Sequence, residues 1–272
     1  MQVVSISSLK GGVGKTSVTL GLASAALAAE VPTLVIDLDP HADATTGLGV
    51  NQGEAMDIGR LLKAPRRADL AAHVVPAGWI AQTAGQVPAT GKERILDVAP
   101  GSAFTGIFDR PDLSRRDLRR LTTVLASLNN HGLPRYELVL IDCPPSLNGL
   151  TRIAWAASQQ VLLVAEPGLF SVAGTERTLR AIELFRQEFA AGLKTAGIVA
   201  NRVRSGSAEH TYRLNEMATM FGPLLLNPTI AEQSNWQQIQ GAARSVHHWP
   251  GEAAKAAAAN FDALLARILE GH

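Results

Sequence analysis

The chain is short of several things at once, and each shortage removes a class of protein. Its 272 residues hold one cysteine, Cys143, which excludes an intramolecular disulfide framework, a CxxC zinc site and a self-contained iron–sulfur site. Aromatic residues are 5%, so aliphatic contacts must supply the core. Charged residues are 18%, below the quarter or so usual for a globular domain. The 25 Lys and Arg against 24 Asp and Glu leave a formal charge of +1, which argues against a surface coated in basic charge but leaves room for a local patch. No run reaches the ~18 uninterrupted apolar residues of a membrane span, so no membrane partner is expected. Residues 19–29 have the small, apolar character of a secretory h-region. A strand-like run and a Gly-rich turn precede them, however, so they read as a buried first helix. A cytoplasmic α/β protein is the expectation.

What is present is a repeating alternation. Continuous apolar, β-branched runs at residues 2–7, 33–37, 137–142, 160–165 and 195–200 read as strands covered on both faces. Helix-length segments separate or follow them at 17–29, 114–130, 146–158, 175–190 and 208–221. This alternation predicts a doubly wound, mostly parallel sheet with right-handed crossovers, ligands gathering at the carboxyl ends of its strands. Residues 50–113 are less regular, with a helix at 54–63 and a strand at 94–98, and read as an insertion within one domain spanning 1–272. Residues 251–271 carry Phe261, Leu264, Leu265, Ile268 and Leu269 at helical spacing, a closing helix on the sheet.

The first strand runs into Leu9-Lys10-Gly11-Gly12-Val13-Gly14-Lys15-Thr16-Ser17, and a helix follows at once. Strand, glycine loop and helix together make this a P-loop NTPase pattern. The glycines let backbone N–H groups converge on phosphate oxygens at a helix N-terminus. Lys15 would reach the β- and γ-phosphates and the Thr16 hydroxyl would ligate Mg²⁺. A strict P-loop has glycine where this chain has Leu9, and here a second lysine, Lys10, opens the loop. The bland alternative is a chance Gly-rich turn.

With that extra lysine, Lys10–Thr16 resembles the deviant P-loop of the ParA/MinD superfamily of ATPases. The resemblance implies ATP as ligand, an ATP-sandwich homodimer, Lys15 acting within its own subunit and Lys10 reaching the partner's nucleotide. Gly11 must stay small if two such loops face each other.

Two acidic strand ends extend the match. Asp37-Leu38-Asp39-Pro40-His41 looks like the Asp-x-Asp-Pro-Gln stretch of ParA-type partition ATPases, with His41 in place of glutamine. Alternation puts Asp37 and Asp39 on one side of the strand. The resemblance gives Asp39 the attacking water, and Asp37 would help hold Mg²⁺. Two N-capping aspartates are the structural alternative. The apolar run 138–141 ending in Asp142 is a Walker B pattern, so Asp142 is expected at Mg²⁺, and Asp142-Cys143-Pro144-Pro145 again resembles the ParA group. Cys143 has no histidine partner placed near it and reads as structural. The superfamily has an asparagine and a proline at the adenine, which here map to Asn201 and Pro228, residues that ordinary turn chemistry would also explain.

Absent features choose among relatives. Nitrogenase-reductase-like members need paired cysteines, MinD-like members a basic amphipathic tail, and the tyrosine kinases a tyrosine cluster, whereas this chain has two tyrosines. A ParA-type partition or cargo-positioning ATPase is left. It implies nonspecific DNA binding in the ATP state, nucleoid association, and a ParB-like or other stimulating partner. With strand one at residue 2, no amino-terminal DNA-reading domain or basic arm is expected, so that partner would dock elsewhere. Relatives usually bind DNA through the C-terminal half, which makes Arg202, Arg204, Arg213 and Arg244 the DNA candidates. That half is neutral, six cations against six carboxylates, while residues 60–120 carry eleven cations against six. A solvated helix face explains such a run as readily as a DNA surface. A nucleotide-dependent scaffold, an orphan ATPase tethering a non-DNA cargo, and a metabolic P-loop enzyme are the alternative functions.

Overall fold

β-branched strands with no polar face need a layer on each side, and the helices supply both. The computed structural model describes residues 1–272 except 52–56, 84, 86–87, 89–92, 132–135 and 271–272. In chain order the elements are β1 (Gln2–Ser7), α1 (Lys15–Ala28), β2 (Thr33–Asp37), α2 (Asp43–Gly47), α3 (Ile58–Lys63), β3 (Val75–Pro76) and β4 (Leu96–Ala99). Next come α4 (Arg115–Leu118), α5 (Arg120–Ala126), β5 (Leu138–Asp142), α6 (Gly149–Ala157), β6 (Gln160–Ala165) and α7 (Leu169–Phe189). The chain ends with β7 (Lys194–Ala200), α8 (Ala208–Phe221), α9 (Trp236–Gly241) and α10 (Glu252–Glu270).

The seven strands form one sheet in the order β3-β4-β2-β5-β1-β6-β7. Every pairing is parallel except that of β3 with β4. Side chains alternate between the two layers. Val4, Ile6, Val35, Leu140 and Leu162 pack with α1 and α10, while Val3, Leu34, Ile36, Val139 and Ile141 pack with α3, α5 and α6. Val161, Leu163 and Ile198 meet α7 and α8 in a third cluster. The closing helix α10 lies against α1, where a Cβ on Gly21 would stand 2.2 Å from the Phe261 ring, so only glycine lets Phe261 seat there.

The strands expected at 2–7, 33–37 and 160–165 have those bounds, and β5 and β7 differ from expectation by one residue. The helix expected at 114–130 is interrupted at Arg119, where Arg120 turns its guanidinium back to the Leu62 carbonyl. The helix expected at 175–190 starts earlier, at Leu169, directly after Gly168. The one expected at 54–63 begins at Ile58 and is capped by the Asp57 carboxylate on Arg60 N–H; residues 54–56 lie outside the described residues. Residues 57–113 carry two strands of the common sheet, and Ile58, Leu61 and Leu62 belong to its core. Among the described residues no helix is long and apolar enough to cross a membrane.

Candidate functional site

The loop after β1 turns on two glycines in the left-handed region, Gly12 (φ 76°) and Gly14 (φ 89°), and Gly14 N-caps α1. Lys15 is therefore the first residue of α1 and buried, with loop and helix amides around it. Asn201, at the end of β7, donates its side-chain amide to the Val13 carbonyl at 2.8 Å. A Cβ on Gly14 would stand 2.3 Å from that amide nitrogen, so the loop and Asn201 are fitted to each other. Gly11 is different: a Cβ there meets only Pro145, at 3.8 Å, and its φ is ordinary. Among the described residues nothing requires glycine at that position.

Beneath the loop lies an acidic floor. Parallel pairing of β2 with β5 sets Asp37 beside Asp142. Asp142 accepts from the hydroxyls of Thr16 (2.8 Å) and Thr19 (2.7 Å), tying the start of α1 to β5. Asp37 is fully buried and accepts from the backbone N–H and hydroxyl of Thr45 (2.8 and 2.7 Å) and from Asp39 N–H (3.2 Å). Asp39 accepts from His41 N–H at 3.0 Å, and His41 itself is exposed. Burial and the neighbouring Asp142 carboxylate push Asp37 up to about 8. Burial pushes Asp142 up to about 6, against hydrogen bonds from Thr19 and Thr16 and the charge of Lys15. Burial also lowers Lys15, opposed by Asp142 and Asp39. Buried acids outnumber the one buried amine, so the floor is short of positive charge.

That deficit and the hard oxygen donors fit Mg²⁺, which is held by one or two carboxylates, a hydroxyl and phosphate oxygens. Thr16 and Asp142 are directly joined, whereas the side-chain hydrogen bonds of Asp37 run to Asp39 and Thr45 in the β2–α2 turn. Cys143 is buried and its thiol is pushed up to about 12 by burial, so it is inert as a nucleophile.

A cavity of about 620 Å³ opens beside the loop, of a size that takes a small-molecule ligand. Its lining joins Gly12, Gly14, Ser17 and Asn201 to Trp236 and Gln240 of α9, and Gln240 donates to the Ser17 hydroxyl at 2.9 Å. Two buried polar atoms on its lining residues, Gln233 Oε1 and Trp236 Nε1, have no hydrogen-bond partner among the described residues. Pro228 does not line the cavity; it follows a cis peptide bond, and the wall is formed two residues later by Ile230, anchored to the Ala200 carbonyl.

Lys10 stands apart from Lys15, with its side chain 46% exposed and 3.6 Å from the Glu166 carboxylate at the end of β6. The four arginines expected to meet DNA do not form a free basic face. Arg202 donates to the Gly12 carbonyl (2.9 Å) and lies 3.6 Å from Glu232, which puts it at the loop. Arg204 is held by Glu232 through two nitrogens, and Arg213 is braced between Glu209 and Glu216. Of these four, Arg244 alone is exposed and makes no ion pair with the described residues. Carboxylates placed within reach of the arginines by α8 and by the segment before α9 are the reason.

Several residues of the site were not anticipated. Thr19 follows Thr16 by three positions, and helical periodicity alone puts both hydroxyls on one side. Glu166 sits at a strand's carboxyl end, where ligands of such sheets collect. Trp236 and Gln240 reach the site only because α9 docks on it, and no local pattern announces that.

Residues 1–195 match the AAA_31 family model, an AAA domain. The chromosome partitioning protein ParA of Caulobacter vibrioides is 31% identical over 200 residues, spanning 73% of this chain and 68% of that protein. ParA of Myxococcus xanthus is 30% identical over 201 residues, 73% of this chain and 64% of the relative. An ATP complex of a Cyanothece McdA variant superposes with a TM-score of 0.79 at 19% identity, covering 98% of this chain and 96% of that one. A cobyrinic acid a,c-diamide synthase from Mycobacterium smegmatis with bound ADP and magnesium gives 0.75 at 21% identity, over 100% and 97%. At these identities the two structures share the fold.

Proposed function

Because the chain belongs to the ParA/MinD superfamily of AAA-domain proteins, we propose that it is a ParA-type ATPase. It dimerises around ATP, binds DNA nonspecifically in that state, and hydrolyses ATP to position a chromosome, plasmid or other cargo. The observation that carries this reading is the fixed set of Lys15, Thr16 and Asp142 beneath a glycine loop beside a nucleotide-sized cavity.

The loop amides from Gly11 to Ser17 and the Lys15 ammonium hold the phosphates, with α1 pointing its N-terminus at them. Thr16 and Asp142 hold Mg²⁺, with Asp37 behind them; the ion, when bound, neutralises charge on the β- and γ-phosphate oxygens. The base occupies the cavity, where Asn201 braces the loop. Asp39 orients the water that attacks the γ-phosphorus as the bond to the β-phosphate oxygen breaks. Positioning, not basicity, is what this step asks of a carboxylate. Lys10 leaves Glu166 and acts on the partner subunit's nucleotide, adding a cation where transition-state charge spreads. One domain spanning 1–272, including 50–113 and the helix at 251–271, performs all of this in the cytoplasm, associated with the nucleoid while ATP is bound. A ParB-like or other partner triggers hydrolysis and release.

A metabolic P-loop enzyme shares the same fold, so fold analogy alone does not separate the readings. Turnover does. ATP hydrolysis without a small-molecule co-substrate, accelerated by duplex DNA and abolished in Lys15→Gln and Asp39→Ala, is expected. Hydrolysis that depends on a small acid substrate and ignores DNA would overturn the proposal.

A further inference from the structure

A second groove among the described residues shares no lining residue with the nucleotide cavity. It measures about 690 Å³ and lies between the end of α3, the turn Pro65–Arg67, and the helices α4 and α5. Seven of its ten lining residues are cationic, six of them arginine, and none is acidic.

Two of these arginines are structural. Arg120 donates to the Leu62 carbonyl, pairs with Asp117 and lies over the Phe108 ring. Arg115 pairs with Glu188 and lies over Phe189. Asp117, the one carboxylate on α4, is spent on Arg120 and on the Ser114 hydroxyl. Arg66, Arg67, Arg116 and Arg119 are exposed and make no ion pair among the described residues. Lys63 is exposed beside them, its ammonium over Phe104. Arg115 and Arg116 lie in α4 and Arg119 at the break that follows it, so three guanidinium groups fall within five residues. Like charges this close repel, and among the described residues no acid pairs with Arg116 or Arg119.

We propose that this groove is a binding site for the phosphate backbone of duplex nucleic acid, and that Arg66, Arg67, Arg116 and Arg119 are its contacts. The inference rests on the DNA-anchoring part of the function proposed above and moves the anchor away from the C-terminal half. Guanidinium groups suit phosphate oxygens because their planar donors bind two at a time. Apart from the arginines and Lys63, the lining holds Ala64, Pro65 and Thr123. It therefore offers no large apolar pocket for the anchor residues of a peptide and no aromatic platform for unstacked bases. An ATP-bound dimer would present the groove twice.

The test uses the full chain with ATP and Mg²⁺ and a short fluorescein-labelled duplex, followed by anisotropy across salt concentrations. With one groove engaged on a short duplex, its four phosphate contacts give a log–log salt slope of about −3.6, an affinity loss of about 150-fold between 50 and 200 mM salt. The combined Arg66→Gln, Arg67→Gln, Arg116→Gln and Arg119→Gln variant should lose most of that slope. A control carrying Arg177→Gln, Arg180→Gln, Arg186→Gln and Arg213→Gln removes equal charge elsewhere and should keep it. Thermal midpoints of both variants report folding, and single substitutions at Arg66 and Arg119, each lowering the slope by about 1, replace the quadruple variant if it unfolds. Equal losses in both variants, or a groove variant that binds as the wild type does, would overturn the groove and leave the ATPase proposal standing. A wild type that retains no duplex while hydrolysing ATP would remove DNA anchoring itself. Displacement of duplex by polyglutamate at matched charge would assign the groove to an acidic polypeptide instead.

Discussion

The fit between Gly14 and Asn201 makes a quantitative prediction about the loop. Alanine at position 14 must adopt φ near 89°, which costs a non-glycine residue about 1–2 kcal/mol. Its Cβ would also stand 2.3 Å from the Asn201 amide nitrogen, driving that amide off the Val13 carbonyl. A buried carbonyl left unpaired costs about 1–3 kcal/mol. Gly14→Ala alone should therefore destabilise the nucleotide-free protein by about 2–5 kcal/mol, and Asn201→Ala by about 1–3 kcal/mol for the same lost bond. In the double variant the clash is gone and the bond can be lost only once, so its cost should fall short of the sum of the two single costs by about 1–3 kcal/mol. Urea unfolding of the four proteins measures this coupling. Additivity within about 0.5 kcal/mol would refute the claim that Asn201 braces the loop.

Further predictions concern the acids, the loop tip and the cavity. The folded value of Asp37, about 8, lies above its unfolded value of about 3.9, so the stability conferred by its folded-state proton is fully present below pH 4 and is lost as pH rises to 8. Across pH 6.5–7.5, where Asp142 is already largely ionised, nucleotide-free Asp37→Asn should lose up to about 1.4 kcal/mol less stability than wild type. Parallel stability–pH curves would count against the buried-acid account. Gly11→Val should leave the thermal midpoint within a degree or so and preserve nucleotide binding while blocking ATP-dependent self-association, since its Cβ meets only Pro145 within the chain. Loss of fold in that variant would contradict it. Nucleotide binding should quench tryptophan emission through Trp236, whose indole N–H is unpartnered; Trp236→Phe should abolish the change, and a signal that survives would place the base elsewhere.

Much of the sheet was legible because parallel strands covered on both faces are written as unbroken apolar runs, and Thr33–Asp37 and Leu138–Asp142 are such runs. The loop was legible because Gly12, Gly14, Lys15 and Thr16 are contiguous. What stayed hidden depends on distance in sequence. Val75–Pro76 is too short to read as a strand and exists only by pairing with β4. The contact of Asn201 with Val13 spans 188 residues, and Gln240 meets Ser17 across 223. The arginines of the C-terminal half looked available in sequence because the pairing of Arg204 with Glu232 is made by folding. Conversely, Arg66 and Arg119 are far apart in sequence, and the packing of α3 and the turn after it against α5 makes them one groove.

The most direct test of the nucleotide switch is the mass of the hydrolysis-blocked Asp39→Ala protein by light scattering with Mg²⁺ and either ATP or ADP. The account predicts twice the 28.8 kDa chain mass with ATP, the single-chain mass with ADP, and no ATP-dependent dimer once Lys10→Ala is added. A mass indifferent to the nucleotide, while ATP is demonstrably bound, would contradict it.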